Sequence, residues 1–191
     1  AHTDGHRAEA VEVEAVDEDR RPLPTGAEGE LRVRGPERML GYVDAALSAE
    51  VVDGGGWFYT GDLGAVDDAG YVTITGRRKD IINRGGEKFS AQDIESAIAG
   101  HPAVGGVAVA GVPDERLGER VAAFVTLREG ASWPGRTSLL AHLEEQRLAK
   151  QKFPVEWRVL EELPRTMSGK LQKNKLLDLW EAGLAAGPDP G

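Results

Sequence analysis

Cysteine is absent from the 191 residues, and histidine occurs only four times. The first absence excludes disulfides and thiolate metal sites, and four scattered histidines make a poor zinc site. A cysteine-free chain suits a reducing cytoplasm. Long apolar runs are also missing: no stretch approaches the roughly eighteen residues that a membrane span requires, and no signal-peptide pattern opens the chain. Nor is positive charge in excess. With 23 Lys and Arg against 32 Asp and Glu, the formal net charge is −9, so the basic footprint of a nucleic-acid partner is lacking. What is present is a globular composition, 40% hydrophobic and 29% charged, sufficient for one ordinary domain or two small ones. Ala1 leads almost at once into strand-like sequence without an initiator Met. This reads as an excerpt of a longer protein, or as a mature chain trimmed of its Met.

Residues 8–16, AEAVEVEAV, alternate apolar and acidic side chains at period two, the mark of a half-buried strand. Residues 30–34 alternate again after a Pro- and Gly-rich loop. Residues 44–51 allow one or two helical turns. Asp67-Asp68-Ala69-Gly70 makes a turn, so residues 63–66 and 71–75 pair as a hairpin. The character changes at Gly76. Ser90 is placed as a helix N-cap with Asp93 in the first turn to accept from it, and Ile94, Ala97 and Ile98 fall on one face. Residues 104–112 and 121–127 are β-rich apolar runs joined by a polar loop over 113–119. Leu139, Leu140 and Leu143 make a helical stripe, residues 155–160 a strand, and residues 173–182 a closing helix with Leu176, Leu177 and Trp180 inward. The expected fold class is α+β. An antiparallel β-rich piece covers residues 1–75, a compact α+β domain with a small sheet flanked by helices covers 76–185, and a frayed tail covers 186–191.

Several short segments carry polar chemistry at glycine-marked positions. Leu163-Pro164-Arg165-Thr166-Met167-Ser168-Gly169-Lys170 puts a lysine at the tip of a Pro/Gly/Ser loop, from which an ammonium can reach an anionic ligand and withdraw. Asp62, after Thr60-Gly61, can accept from the vicinal hydroxyls of a ribose or simply cap a turn. Arg77, after Gly76, has the planar fork that suits a ribose hydroxyl or a phosphate oxygen, and equally an inter-domain salt bridge. Gly85-Gly86-Glu87 leaves room for something long and narrow to pass, or makes a tight turn. Lys150-Gln151-Lys152-Phe153-Pro154 is a basic spot on an acidic chain, open to a solvated helix end or to the phosphates of a ligand.

Taken in order, Tyr59-Thr60-Gly61-Asp62-Leu63, Gly76-Arg77, Gly85-Gly86-Glu87 and Ser168-Gly169-Lys170 resemble the C-terminal third of an adenylate-forming, AMP-binding enzyme of the acyl-CoA synthetase type. The resemblance covers nearly the whole chain. It implies that residues 1–75 end a large N-terminal domain, including part of a barrel-like subdomain, and that residues 76–185 are the small C-terminal domain. It implies ATP and AMP binding by Asp62, Arg77, Asn83 and Lys170, with Lys170 also catalytic. Lys79 is then the hinge, since aspartate or lysine is usual there, and Gly85, Gly86 and Glu87 lie on the path of CoA. Lys173 stands where relatives often carry arginine, and Lys88-Phe89-Ser90-Ala91 replaces the common Asn-Ile-x-Pro after the glutamate.

By the same resemblance the parent is an acid–thiol ligase using a small carboxylic acid, ATP, Mg2+ and CoA, with the Mg2+ site outside this chain and no metal ligands within it. Its main structural partner is the large N-terminal domain; no nucleic acid and no membrane span are expected. The fragment by itself is expected to be inactive. Two rivals stay open: an adenylation domain serving a carrier protein, and a non-catalytic module derived from the ligase. Similarity in LAKQKFP and LPRTMSGKLQK leans towards cyclic, aromatic or medium-chain acids.

Overall fold

The structure, a computed structural model, describes residues 3–183; the expected tail at 186–191 lies outside them. The chain divides after Lys79 into two compact units, Ala1–Lys79 and Asp80–Gly191. The division follows strand β5 (Tyr71–Arg77), which stays paired with its neighbour through Arg77 and so carries the first unit past residue 75.

The first unit is a five-stranded sheet in the order β1 (Gly5–His6), β5, β4 (Phe58–Val66), β3 (Gly29–Arg34) and β2 (Glu12–Val16). All its pairings are antiparallel. Among the described residues no pairing joins β1 to β2, so the strand order is that of an open sheet. The 67–70 turn forms as the spacing requires: the Asp67 carboxylate accepts from the amides of Ala69 and Tyr71, and Gly70 has φ 85°. One short helix, α1 (Ala45–Val51), is capped by Asp44, whose side chain accepts from the Ala46 amide at 2.8 Å.

The second unit is built on the long antiparallel hairpin of β8 (Val104–Asp114) and β9 (Gly118–Leu127). The strands consume most of the expected 113–119 loop, because Asp114 accepts from the amides of Arg116 and Leu117 and closes the turn within three residues. The other edge of β9 carries β10 (Glu156–Val159) in parallel and, at Gly118, Arg84 of β6 (Ile81–Arg84), which is paired with β7 (Glu87–Ser90). Side chains alternate across the hairpin. Val109, Val121, Ala123 and Val125 pack with Ile94 and Ile98 of α2 (Ala91–Ala99) and Leu139 and Leu143 of α3 (Arg136–Glu145). Ala108, Ala110, Val112, Ala122 and Phe124 pack with Leu163 and with Leu176 of α4 (Lys173–Glu181). Covering both faces explains why these strands read as continuous apolar runs. No helix of the described residues is long and apolar enough to cross a membrane.

The helix-start expectation holds only in part. Ser90 occupies the N-cap position of α2 but makes no side-chain cap bond. Asp93 receives Lys152 Nζ at 3.0 Å, a charge-assisted contact across the surface.

Candidate functional site

Asp62 lies inside β4 rather than at its end, next to a register shift between Leu63 and Gly64. Gly61 has φ 72°, a left-handed conformation that disfavours any side chain, so glycine is demanded by the backbone; a Cβ there would meet open space. The Thr60 hydroxyl donates to the Leu31 carbonyl at 2.8 Å and accepts from the Asp62 amide at 3.0 Å, which fixes the bulged segment. Asp62 is the register partner of Arg77, and Arg77 Nε donates to Asp62 Oδ1 at 2.6 Å. Two segments separated in sequence thus form one charge-assisted pair, with Asp62 26% exposed and Arg77 50%. Alongside lies a cleft of about 460 Å³ lined by Thr60, Gly61, Arg77, Arg78 and Lys79. Arg78 is held by Glu30, a buried carboxylate, at 2.9 Å. Lys79 is exposed within the 3-10 turn Arg78–Asp80, and the two units divide immediately after it.

On the second unit Gly85 and Gly86 form the two-residue turn of the β6–β7 hairpin, with φ 62° and 88°. Both positive values are those of the tight turn that matches strand twist, so the hairpin alternative is the one the backbone adopts. Glu87 and Asn83 are exposed on its strands, and the Asn83 amide donates to Glu119 Oε2 at 2.6 Å. The basic spot sits beside this hairpin: Arg84 Nη1 donates to the Gln151 carbonyl at 2.6 Å. Its lysines are already engaged, Lys150 with Glu144 at 3.1 Å and Lys152 with Asp93 at 3.0 Å.

Lys170 is exposed at the end of a closed turn. The Thr166 amide donates to the Lys170 carbonyl and the Gly169 amide to the Thr166 carbonyl, both at 2.8 Å. Arg165 Nη1 donates to the Gly169 carbonyl at 2.8 Å, and Gly169 has φ 82°. The ammonium projects from an ordered backbone. The structure therefore pairs Asp62 with Arg77 on the first unit. On the second it gathers Asn83, Gly85, Gly86 and Glu87 on one hairpin and sets Lys170 on a separate turn. Thr60 and the Glu30–Arg78 pair were not singled out from sequence, although Thr60 stands within the same segment as Asp62. Glu30 gave no signal, because one acidic residue in an alternating strand looks like any solvated one.

The order of these segments has a counterpart in known proteins. The family model for the AMP-binding enzyme C-terminal domain matches residues 93–170. The chain belongs to the adenylate-forming enzymes. It is 46% identical over 173 residues to a medium-chain fatty-acid–CoA ligase of Escherichia coli (strain K12), covering 90% of this chain and 31% of that protein. It is 39% identical over 176 residues to a fatty acid–[acyl-carrier-protein] ligase of Streptomyces coeruleorubidus, covering 91% and 33%. Among solved structures it is similar to ATP-bound MatB from Rhodopseudomonas palustris, with TM-score 0.84 and 36% identity over 94% of this chain and 36% of that one. The chain thus spans about a third of the length of the relatives it matches.

Proposed function

We propose that the full protein is an ATP-dependent acid–thiol ligase, to which this chain contributes the end of the large domain and the whole small domain. The Asp62–Arg77 pair carries the reading, because the β4–β5 hairpin brings the two motif residues to 2.6 Å beside an open cleft. The residues fit a nucleotide. The second Asp62 oxygen accepts from the ribose hydroxyls, while Arg77, fixed through Nε, directs its planar fork at the sugar or phosphate. Asn83 lines the same nucleotide. Mg2+ would be held by residues outside this chain, as the family resemblance implies, and no step below is assigned to it.

In the first half-reaction a substrate carboxylate oxygen bonds to the α-phosphorus of ATP. The bond from that phosphorus to the bridging oxygen breaks, and its electron pair leaves with pyrophosphate. Lys170 places an ammonium against the charge that develops on the non-bridging oxygens; it neither gives nor takes a proton. In the second, a thiolate sulfur attacks the acyl carbon and AMP departs with the electron pair of the broken C–O bond, the thiol proton passing to solvent. Lys79 is the hinge about which the small domain turns between the two. Gly85 and Gly86, with no side chains at the tip of their hairpin, and Glu87 beside them border the passage of the pantetheine arm.

CoA is favoured as the acceptor over a carrier protein, because the identity is 46% to the CoA ligase and 39% to the carrier-protein ligase. A medium-chain acid is the favoured substrate on the same ground, and the cytoplasm, where ATP and CoA meet, is the favoured setting. Lys170→Ala in the full-length protein tests the mechanism. ATP–pyrophosphate exchange should fall about a hundredfold to a thousandfold, while thioester formation from supplied acyl-AMP stays near wild type. Equal losses in both half-reactions would assign Lys170 a structural role. The 191-residue chain alone should show no exchange above background.

A further inference from the structure

Lys173 is the first residue of α4, where a cation opposes the positive end of the helix and where Gln172 supplies no side-chain cap. Local rules disfavour a lysine there, so its place must follow from what it touches. Its Nζ lies 2.8 Å from Glu95 Oε1 and 3.6 Å from Asp80 Oδ2, and the three side chains are only 20–22% exposed. Glu95 is itself tied down, since the same oxygen accepts from the Val109 amide of β8 at 2.8 Å. Asp80 ends the 3-10 turn that contains Lys79 and is the first residue of the second unit. On the other side, Lys173 follows directly on the closed turn whose base is the Gln172 amide donating to the Pro164 carbonyl at 2.9 Å. One leg of that turn is anchored by Leu163, buried in the apolar cluster around Phe124. The other leg has Leu171, half-buried against the same cluster, and then Lys173.

We infer that Lys173, held between Glu95 and Asp80, is the positioning residue that fixes the reach of the Lys170 ammonium and couples it to the segment at the unit boundary. The inference rests on the reading of Lys170 given above. A lysine-to-glutamate bond onto the sheet edge sets where the turn ends, and a small displacement of a charge from the reacting atoms is costly. The weaker contact to Asp80 means that a change in the backbone around Lys79 alters the charge environment of the same ammonium.

The test uses the full-length protein with Lys173→Met, Lys173→Arg and Asp80→Asn. Lys173→Met should lower kcat for the adenylation half-reaction about tenfold to a hundredfold with KM for ATP within about twofold. Thioester formation from supplied acyl-AMP should be unaffected, Lys173→Arg should recover most of the rate, and Asp80→Asn should give a smaller loss of the same kind. A rise in KM at unchanged kcat, or equal loss in both half-reactions, would overturn the proposal. If Lys173→Met does not fold, Asp80→Asn and Lys173→Arg decide alone: wild-type adenylation in Asp80→Asn together with a large loss in Lys173→Arg would count against it. Lys170→Ala run alongside separates the two readings, because an unaffected rate there overturns the role of Lys170 itself. In the 191-residue chain, Lys173→Met should also speed amide exchange in residues 165–172 about tenfold; unchanged exchange would remove the anchoring that the inference requires.

Discussion

The two units solve the problem of burial differently. Among the described residues the first buries four apolar side chains, Ala15, Val16, Leu31 and Tyr59, whereas the second buries twenty. The first supplements its thin core with charge. Glu14 lies directly opposite Arg32, and Glu12 opposite Arg34, across the β2–β3 register, and each pair forms a salt bridge. Arg32 lies 4.4 Å from the Trp57 ring centroid, Arg34 4.4 Å from the same ring, and Arg20 4.1 Å from that of Tyr59. Arg32 is 8% exposed and also donates to the Tyr59 hydroxyl, so it acts as a core residue with its charge neutralised. The lesson is that a sheet with few buried apolar side chains can be held by stacked arginines and aromatics. The second unit needs a continuous apolar hairpin clothed on both sides.

Phe124→Ala should break the second unit most severely. The ring is fully buried, and its loss costs about 3–5 kcal/mol. Hydrogen-exchange mass spectrometry against urea should show protection lost across β8, β9 and α4 while β2 to β5 keep theirs. Arg32→Ala sharpens the other side of the comparison. Removing the partner of Glu14 and the layer over Trp57 should cost about 3 kcal/mol, at the lower end for a buried pair because Glu14 is 32% exposed. Exchange should rise in β2, β3 and β4 and not in the hairpin of the second unit. A loss spread evenly over both units in either variant would dissolve the distinction.

Gly86→Ala tests a smaller, purely backbone effect. No atom stands within 4 Å of the added Cβ, but φ is 88°, so about 1–2 kcal/mol of strain is expected with no clash. A second-unit unfolding midpoint within error of wild type would refute it. The smallest effect concerns pH. Burial, reinforced by the neighbouring His142, holds the His101 pKa below its ordinary value of 6.5. The folded ring is neutral, with Nδ1 accepting from the Ala103 amide. Above pH 6.5 both states are neutral and stability is level. As pH falls below it the unfolded chain protonates first, so second-unit stability declines until the depressed pKa is reached. His101→Gln should flatten that slope in urea titrations from pH 7.5 to about 5.

Much of the architecture was legible because periodicity reports burial. Residues 30–34 alternate and form a strand, whereas of the strand expected over 8–16 only Glu12–Val16 pairs, and the runs at 104–112 and 121–127 are apolar throughout because both faces are packed. The two-residue β1 was not legible, since Gly5 and His6 take their strand character only from pairing with Val72 and Tyr71. Paired glycines permit either a passage for something narrow or a tight turn, and only the register of β6 with Phe89 and Lys88 makes Gly85-Gly86 the turn of a hairpin. The site residues were legible one by one as residue types after glycine. That Asp62 faces Arg77 follows from carrying the expected hairpin of 63–66 with 71–75 outward, whereas the contacts of Lys173 with Glu95 and Asp80 were not legible.

Composition and spacing alone determined the absence of disulfides, the sequence of β-rich and then α+β structure, the core faces of α2, α3 and α4, and the short list of polar residues at glycine-marked turns. Those properties are local, set by side-chain chemistry and the period of the backbone. Tertiary structure alone decided that Lys173 lies between Glu95 and Asp80, and that Arg32 is buried. Each depends on which strands and helices lie side by side, and pairing distant segments is a property of the whole packed chain that no single stretch contains.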